Sequence, residues 1–462
     1  MRILQSFAIA VLLAALGPSA AAQEQPPAPA EPKPFELPQA TRFTLANGMG
    51  VTLVPYGSLP QLVAQVTLRV GNLNEGERTW LADLTGELLK EGTLQRDGQA
   101  LAAGAAAMGG SLTVGVGADQ TTVNGTALSQ FAPDLIALLA EVVREPAFPD
   151  DAFARIQGDL QRRVAVARTQ PQSLALEAFR KALYGDHPYG RYLPTDAQLA
   201  AYTVDDARRF YAENAGAARA HLYVAGRFDA PALERAIRNA FEGWAAGPAP
   251  FTAPPETTPK RALVELDRPG APQSTLYLGL PVIDPSHPDR MALSVANAML
   301  GGYFSSRITS NIREDKGYTY SPFSQLSSRY RDAYWVQVAD VTTAHTADSL
   351  REIFHEIERL RSEPAGDAEL AAVKSYLGGT FVLQNSAPGA IIGQLAYIDL
   401  HGLPDDYLET YVLRLSEVTA ADVQRVAQKY LEPEAMTLVV VGDPAALAEQ
   451  LPTLDWVRSA SR

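Results

Sequence analysis

Residues 203–229 read TVDDARRFYAENAGAARAHLYVAGRFD, and residues 419–444 read TAADVQRVAQKYLEPEAMTLVVVGDP. Each opens on a threonine with acidic residues in the next turn. Each then runs through an amphipathic stretch, a short break, an apolar run and a glycine. Thr203 and Thr419 have the residue type and spacing of helix N-caps. LYVAG and LVVVG read as buried strands. The same helix–strand unit met twice predicts two homologous domains, with chance similarity inside one domain as the alternative.

Other segments echo at a similar offset. ALLAEVVREPAFPDDAFARIQGDLQRR (137–163) resembles FHEIERLRSEPAGDAELAAVKSYLGG (354–379), each a helix, a proline-containing loop and a helix. VTLVPYGSLPQLVAQVTLRVG (51–71) has a counterpart in RALVELDRPGAPQSTLYLGLPV (261–282). Strand signals also mark LVAQVTLRV and SLTVGVGADQTTVNGTAL. Helices are expected around 80–90, 130–145, 150–168, 172–184 and 203–214. Between the repeats lies AGPAPFTAPPETTPK (246–260), too proline-dense for helix or central strand and read as a linker. The fold class is α+β: two homologous domains, 37–245 and 261–462, each an antiparallel-rich sheet covered by helices.

The N-terminus, MRILQSFAIAVLLAALGPSAAAQEQ, has Arg2, an apolar run and a small-residue site, the pattern of a signal peptide over 1–22 cleaved after Ala22. An uncleaved anchor is the alternative. A Pro-rich leader, 23–36, follows and should be extended. No later segment reads as a membrane span. There is no cysteine, so the core must hold without disulfides, and a periplasmic location fits. The net charge of -13 argues against nucleic acid or anionic membrane as partners.

Two stretches carry chemistry. Residues 81–93 read LADLTGELLKEGT. An inverted zincin motif, H-x-x-E-H, would need His, Glu and His at 83, 86 and 87. The chain has Asp83, Gly86 and Glu87. Zinc wants two imidazoles, a distant carboxylate and an open position for water, with a glutamate to take the water's proton. Asp83 and Glu87, four apart on one helix face, repel each other without a cation. They read as an ion-paired helix face, a weak hard-metal site, or part of a partner interface. The six histidines, 187, 221, 287, 345, 355 and 401, have no metal-site spacing.

Residues 298–321 read AMLGGYFSSRITSNIREDKGYTYS. Gly301-Gly302 is expected to permit a sharp turn into a helix that Ser305 or Ser306 caps and Gly317 ends. Arg313 and Tyr320 fall on either side of that end. A guanidinium fork and a phenol held together suit peptide carbonyls or a developing oxyanion. Phe304, Tyr318 and Phe323 add apolar surface for a cleft or for packing, and strand addition at a sheet edge is the expected peptide mode.

These stretches resemble the insulinase, pitrilysin and mitochondrial-processing-peptidase superfamily of zinc peptidases, over essentially the whole mature chain. Trp80–Thr93 keeps the scaffold residues Leu81, Ala82, Gly92 and Thr93 but loses the zinc residues. The resemblance places the third zinc ligand near Arg163, which cannot bind metal and is expected to pair with Glu87 or Asp83. It makes His187 in GDHPYGR structural. It implies two domains of the processing-peptidase metalloenzyme type. The match over Leu300–Tyr320 is the closest, and it assigns Arg313 and Tyr320 to a pair that some bacterial subunits contribute to a partner's active site. The expectation is a non-zinc subunit with no cofactor of its own. Its partner would be a secreted homologue with an intact motif and Zn2+, and the substrates peptides or small unfolded proteins. A non-catalytic scaffold, a peptide-binding homodimer and an autonomous peptidase using Asp83 and Glu87 are the rivals.

Overall fold

The strand pairs that echo each other in the sequence build two sheets with one strand order. The computed structural model describes residues 35–251 and 254–460. The signal peptide and most of the Pro-rich leader lie outside the described residues. The first sheet comprises β1 (Thr41–Thr44), β2 (Gly50–Pro55), β3 (Gln61–Leu68), β4 (Leu112–Val116), β5 (Thr121–Leu128) and β6 (Ala220–Gly226), in the order β1-β2-β6-β3-β5-β4. The second comprises β7 (Ala262–Asp267), β8 (Gln273–Val282), β9 (Phe323–Arg329), β10 (Asp332–Thr342) and β11 (Thr437–Gly442), in the order β7-β11-β8-β10-β9. Without β1 the two orders coincide. The parallel pair recurs too: β2 with β6, and β7 with β11. The repeat is therefore a repeat of topology, and chance similarity is excluded. The described residues of 246–260 carry neither helix nor strand.

The expected helices form at Leu81–Leu89, Ala132–Arg144, Asp150–Thr169, Pro171–Tyr184 and Val204–Asn214. Thr203 and Thr419 make equivalent capping boxes. Each hydroxyl accepts from the amide three residues on, and Asp206 or Asp422 accepts in return from the threonine amide. Two orphan donors are satisfied at each helix start.

LVVVG is buried at every position of β11, which requires cover on both faces. One face packs on the helices of its own half. The other receives Pro171–Tyr184 from the first half, where Ala175 and Phe179 meet Tyr277, Tyr334 and Val439. Helix Pro388–His401 returns the contact: Ile391, Ile392 and Leu395 pack on Val54, Tyr223 and Ala225 of the first sheet. The halves thus clasp each other by equivalent helices. Each fully buried large side chain in these contacts contributes about 1.5–3 kcal/mol. Glycine at 279 makes the seat: a Cβ there would lie 2.8 Å from Phe179 Cζ and 2.2 Å from the Trp335 carbonyl oxygen. No helix among the described residues is long and apolar enough to cross a membrane.

Candidate functional site

The degenerate zinc stretch is a fully engaged helix. Leu81, Leu84 and Leu88 enter the first core, leaving Asp83 and Glu87 on the opposite side. Trp80 starts the helix with φ of 66°, unusual for a bulky residue. Glu75 sustains that start, accepting from the amides of Trp80 and Ala82 at 3.0 Å each. Asn72 Nδ2 then bridges two carboxyls, Asp83 at 2.7 Å and Glu75 at 3.3 Å. Burial pushes the Glu75 carboxyl up to about 8, with a further push from Asp83, against the pull of its backbone donors. Burial also raises Asp83, opposed by the Asn72 hydrogen bond and by Arg163. Glu87 pairs with Lys90 at 2.6 Å and with Arg163 at 3.5 Å. Arg163 lies 5.4 Å over the Trp80 ring. Of the two partners open to Arg163, it takes Glu87, and Asp83 takes Asn72.

Gly86 has a structural reason. A Cβ there would sit 2.4 Å from Val116 Cγ2 on β4, so the strand occupies the space a side chain would need. The base position is therefore closed by a methyl group, and the third-ligand position presents a guanidinium. These residues do not fit zinc. No group of three or more His, Cys, Asp or Glu side chains suited to a metal exists among the described residues.

The second stretch departs from the sequence expectation in its backbone. Gly301 and Gly302 do not turn into a helix. They lie in a π-turn, Ala298–Gly302, that closes helix Arg290–Asn297. The reason is contact: a Cβ at Gly301 would meet Gln337 Oε1 at 2.6 Å and Ser324 Oγ at 2.7 Å. The next helix is α over Arg307–Thr309 and π over Ser310–Asp315. Ser306 occupies the N-cap place but donates to Thr309 Oγ1 and caps no amide. Gly317, at φ of 67°, ends the helix as expected. Tyr318 is no part of the cleft; its ring stacks on His345 at 4.4 Å.

π-turns are rare and concentrate at functional sites. This one is held from below. Arg307 makes two 2.8 Å bonds to Glu369, and Asn311 donates to Glu352 and Glu356 at 2.9 Å each. Above, Arg313 is placed 4.2 Å over the Phe304 ring and 5.4 Å from the Tyr320 ring. Its ion pair is a 3.5 Å contact with the half-exposed Glu314. Tyr320 is 79% exposed and its phenol makes no hydrogen bond within the described residues. Arg313, Tyr320, Phe304 and Phe323 line one cavity of about 360 Å³. The structure thus brings Arg313 and Tyr320 together. No hydrogen bond, ion pair or ring contact among the described residues joins them to the 83–87 stretch.

Sequence reasoning missed Glu75, Asn72 and Val116. A carboxylate ahead of a helix start is a readable signal for the first. Nothing local could reveal the other two, because Asn72 reaches Asp83 on the next helix and Val116 reaches Gly86 from a strand.

The clasped α+β halves and an inverted-zincin helix without its metal residues define a zinc-peptidase scaffold. The comparisons agree. Residues 60–196 match the family model described as Insulinase (Peptidase family M16), and residues 201–377 match that described as Peptidase M16 inactive domain. The chain belongs to peptidase family M16. It is 24% identical over 402 residues to an uncharacterized zinc protease of Streptomyces coelicolor, covering 84% of this chain and 87% of that one. It is 20% identical over 380 residues to a non-peptidase homolog of Helicobacter pylori, covering 81% and 87%. The crystal structure of a peptidase M16 inactive domain from Pseudomonas fluorescens has a TM-score of 0.81 at 25% identity, covering 87% of this chain and 98% of that one.

Proposed function

We propose that this chain is the non-zinc subunit of a two-chain periplasmic peptidase. The partner is a secreted homologue with an intact H-x-x-E-H motif, which supplies Zn2+, the attacking water and the general base. This chain supplies Arg313 and Tyr320. The observation that carries the reading is the placing of that pair: a guanidinium between the Phe304 ring and the ring of the exposed Tyr320, whose phenol has no hydrogen bond within the described residues. Such donors suit a peptide carbonyl and the oxyanion that forms from it. A purely scaffolding role leaves the pairing of Arg313 with an exposed phenol unexplained.

Metal analysis and a peptidase assay on the purified chain, alone and with a co-purified motif-bearing homologue, test the reading. Alone, the chain should hold little zinc and cleave nothing. With the partner, turnover should appear, and Arg313→Ala or Tyr320→Phe should lower it without preventing assembly. Stoichiometric zinc and robust turnover in the isolated chain would reject the proposal.

A further inference from the structure

The two halves differ at one matching place, the start of the helix that follows the matching strands β3 and β8. In the first half Trp80 occupies the N-cap of helix Leu81–Leu89, and its indole donates to the Tyr192 carbonyl at 2.9 Å. Tyr202, the residue before the Thr203 cap, donates its phenol to the Thr79 carbonyl at 2.9 Å. Two large rings thus close the space between the helix start and the capping box. In the second half the corresponding positions are Asp289, at the N-cap of helix Arg290–Asn297, and Val418, before the Thr419 cap. Both are smaller, and both line a cavity of about 490 Å³, inside the roughly 300–1,000 Å³ range of ligand pockets.

This cavity collects donors. Arg290 donates to neutral oxygens, the Ile283 carbonyl at 3.0 Å and Ser328 Oγ at 2.9 Å, and forms no ion pair among the described residues. Arg414 lies 4.4 Å over the Tyr407 ring and donates to the Tyr407 carbonyl at 3.0 Å; its buried Nε donates to nothing, and it too forms no ion pair there. Half-buried guanidiniums with no anion beside them are costly to keep. Tyr407 adds a phenol with no hydrogen bond within the described residues. Burial, then Tyr397 and Tyr411, push that phenol up to about 12 against the pull of Arg414 and Arg290, so it stays a donor. It feels both guanidiniums, so the three donors lie together. The carboxylates in the wall are spoken for or outside: Asp289 is bound by Arg425, Lys429 and Tyr430, Asp422 by Thr419 and Arg425, and Glu417 is exposed at the rim.

We propose that this cavity binds a small organic anion, with a carboxylate or phosphate head held by Arg290, Arg414 and the Tyr407 hydroxyl, and a flat ring packed among Tyr397, Tyr407 and Tyr411. Such a head only accepts hydrogen bonds when ionised, which suits a set of donors and neutralises both guanidiniums. The tyrosine rings give an aromatic body offset-stacked or edge-on contacts. The site shares no lining residue with the Arg313–Tyr320 cavity, so it is a second binding function, independent of the peptidase reading.

Isothermal titration of the full mature chain with benzoate, phenylphosphate, inorganic phosphate and neutral benzyl alcohol tests this. The tighter of the two aryl anions should bind at least about tenfold better than benzyl alcohol, and it tells whether the head is a carboxylate or a phosphate. Inorganic phosphate, a head without a ring, should bind more weakly than that aryl anion. Arg414→Gln should weaken aryl-anion binding about tenfold. Val418→Tyr, which places the first half's residue in the cavity, should remove binding while the melting temperature holds or rises. In the wild-type protein, whatever the variants do, saturating aryl anion should slow amide exchange at 285–292 and 407–414. No binding, benzyl alcohol or inorganic phosphate binding as tightly as the aryl anions, binding unchanged by Val418→Tyr, or exchange slowed only elsewhere would overturn the proposal.

Discussion

The helix at 81–89 and the turn at 307–320 have opposite relations to their surroundings. In the first, every polar side chain has found an internal partner: Asp83 takes Asn72, and Glu87 takes Lys90 and Arg163. Gly86 is filled by Val116 from the next layer. In the second, the internal hydrogen bonds stop below the π-turn. Arg313 and Tyr320 remain outside them, lining one cavity with the exposed Phe304 and Phe323. A polar group with an internal partner stabilises the fold. One held at the surface with only an exposed ion pair or a ring contact is available to something outside the chain. By that criterion the first region has become structure, and the second is the one we propose meets substrate.

The largest expected effect lies in the second region. Arg313→Ala should cut turnover of the assembled peptidase by about a hundredfold, the scale of removing one oxyanion donor, while chain stability stays within about 0.5 kcal/mol, as for other surface changes. A large fall in melting temperature would instead make Arg313 structural and erase the contrast.

In the first region the effects should fall on stability. Gly86→Ala drives a Cβ to 2.4 Å from Val116 and should cost about 1–3 kcal/mol by overpacking. Val116→Ala should recover most of that loss. Denaturant unfolding of the single and double variants checks both. No penalty would mean that the base position is still open.

Glu75 should give this region a pH dependence. Its carboxyl sits at about 8 in the fold, against about 4.5 unfolded, so the protonated form is the one the fold favours. Stability from it is complete below about pH 4.5 and is lost as pH rises toward 8. Wild-type unfolding free energy should therefore drop across that window by up to about 5 kcal/mol, at about 1.4 kcal/mol per pKa unit. Glu75→Gln should flatten the slope.

The smallest effect concerns Arg163. Its pair with Glu87 is half exposed, so Arg163→Ala should cost about 0.5 kcal/mol or less. A loss of several kcal/mol would show that a guanidinium at the third-ligand position is essential to the fold.

Much of this was legible in the chain. The threonine–aspartate caps at 203 and 419 and the runs LYVAG and LVVVG are local signals, and they gave matching elements. The missing histidines at 83 and 87 needed only the motif's spacing. Less legible was the backbone around Gly301, read as a turn into a helix. Its glycine answers to Gln337 and Ser324, which lie far along the chain. Tyr318, read as surface for a cleft or for packing, packs: its ring stacks on His345, a contact between residues distant in the chain.

The sequence by itself determined the α+β class, the matching helix–strand segments, and the absence of the zinc motif's histidines and glutamate, because each of these depends on residue type at short spacing. Only the tertiary structure decided that the halves clasp by exchanged helices, that Val116 closes the base position, and that Arg313 rests on Phe304 beside an open phenol. Those facts depend on which distant side chains share a volume, and packing settles that only once the whole chain has folded.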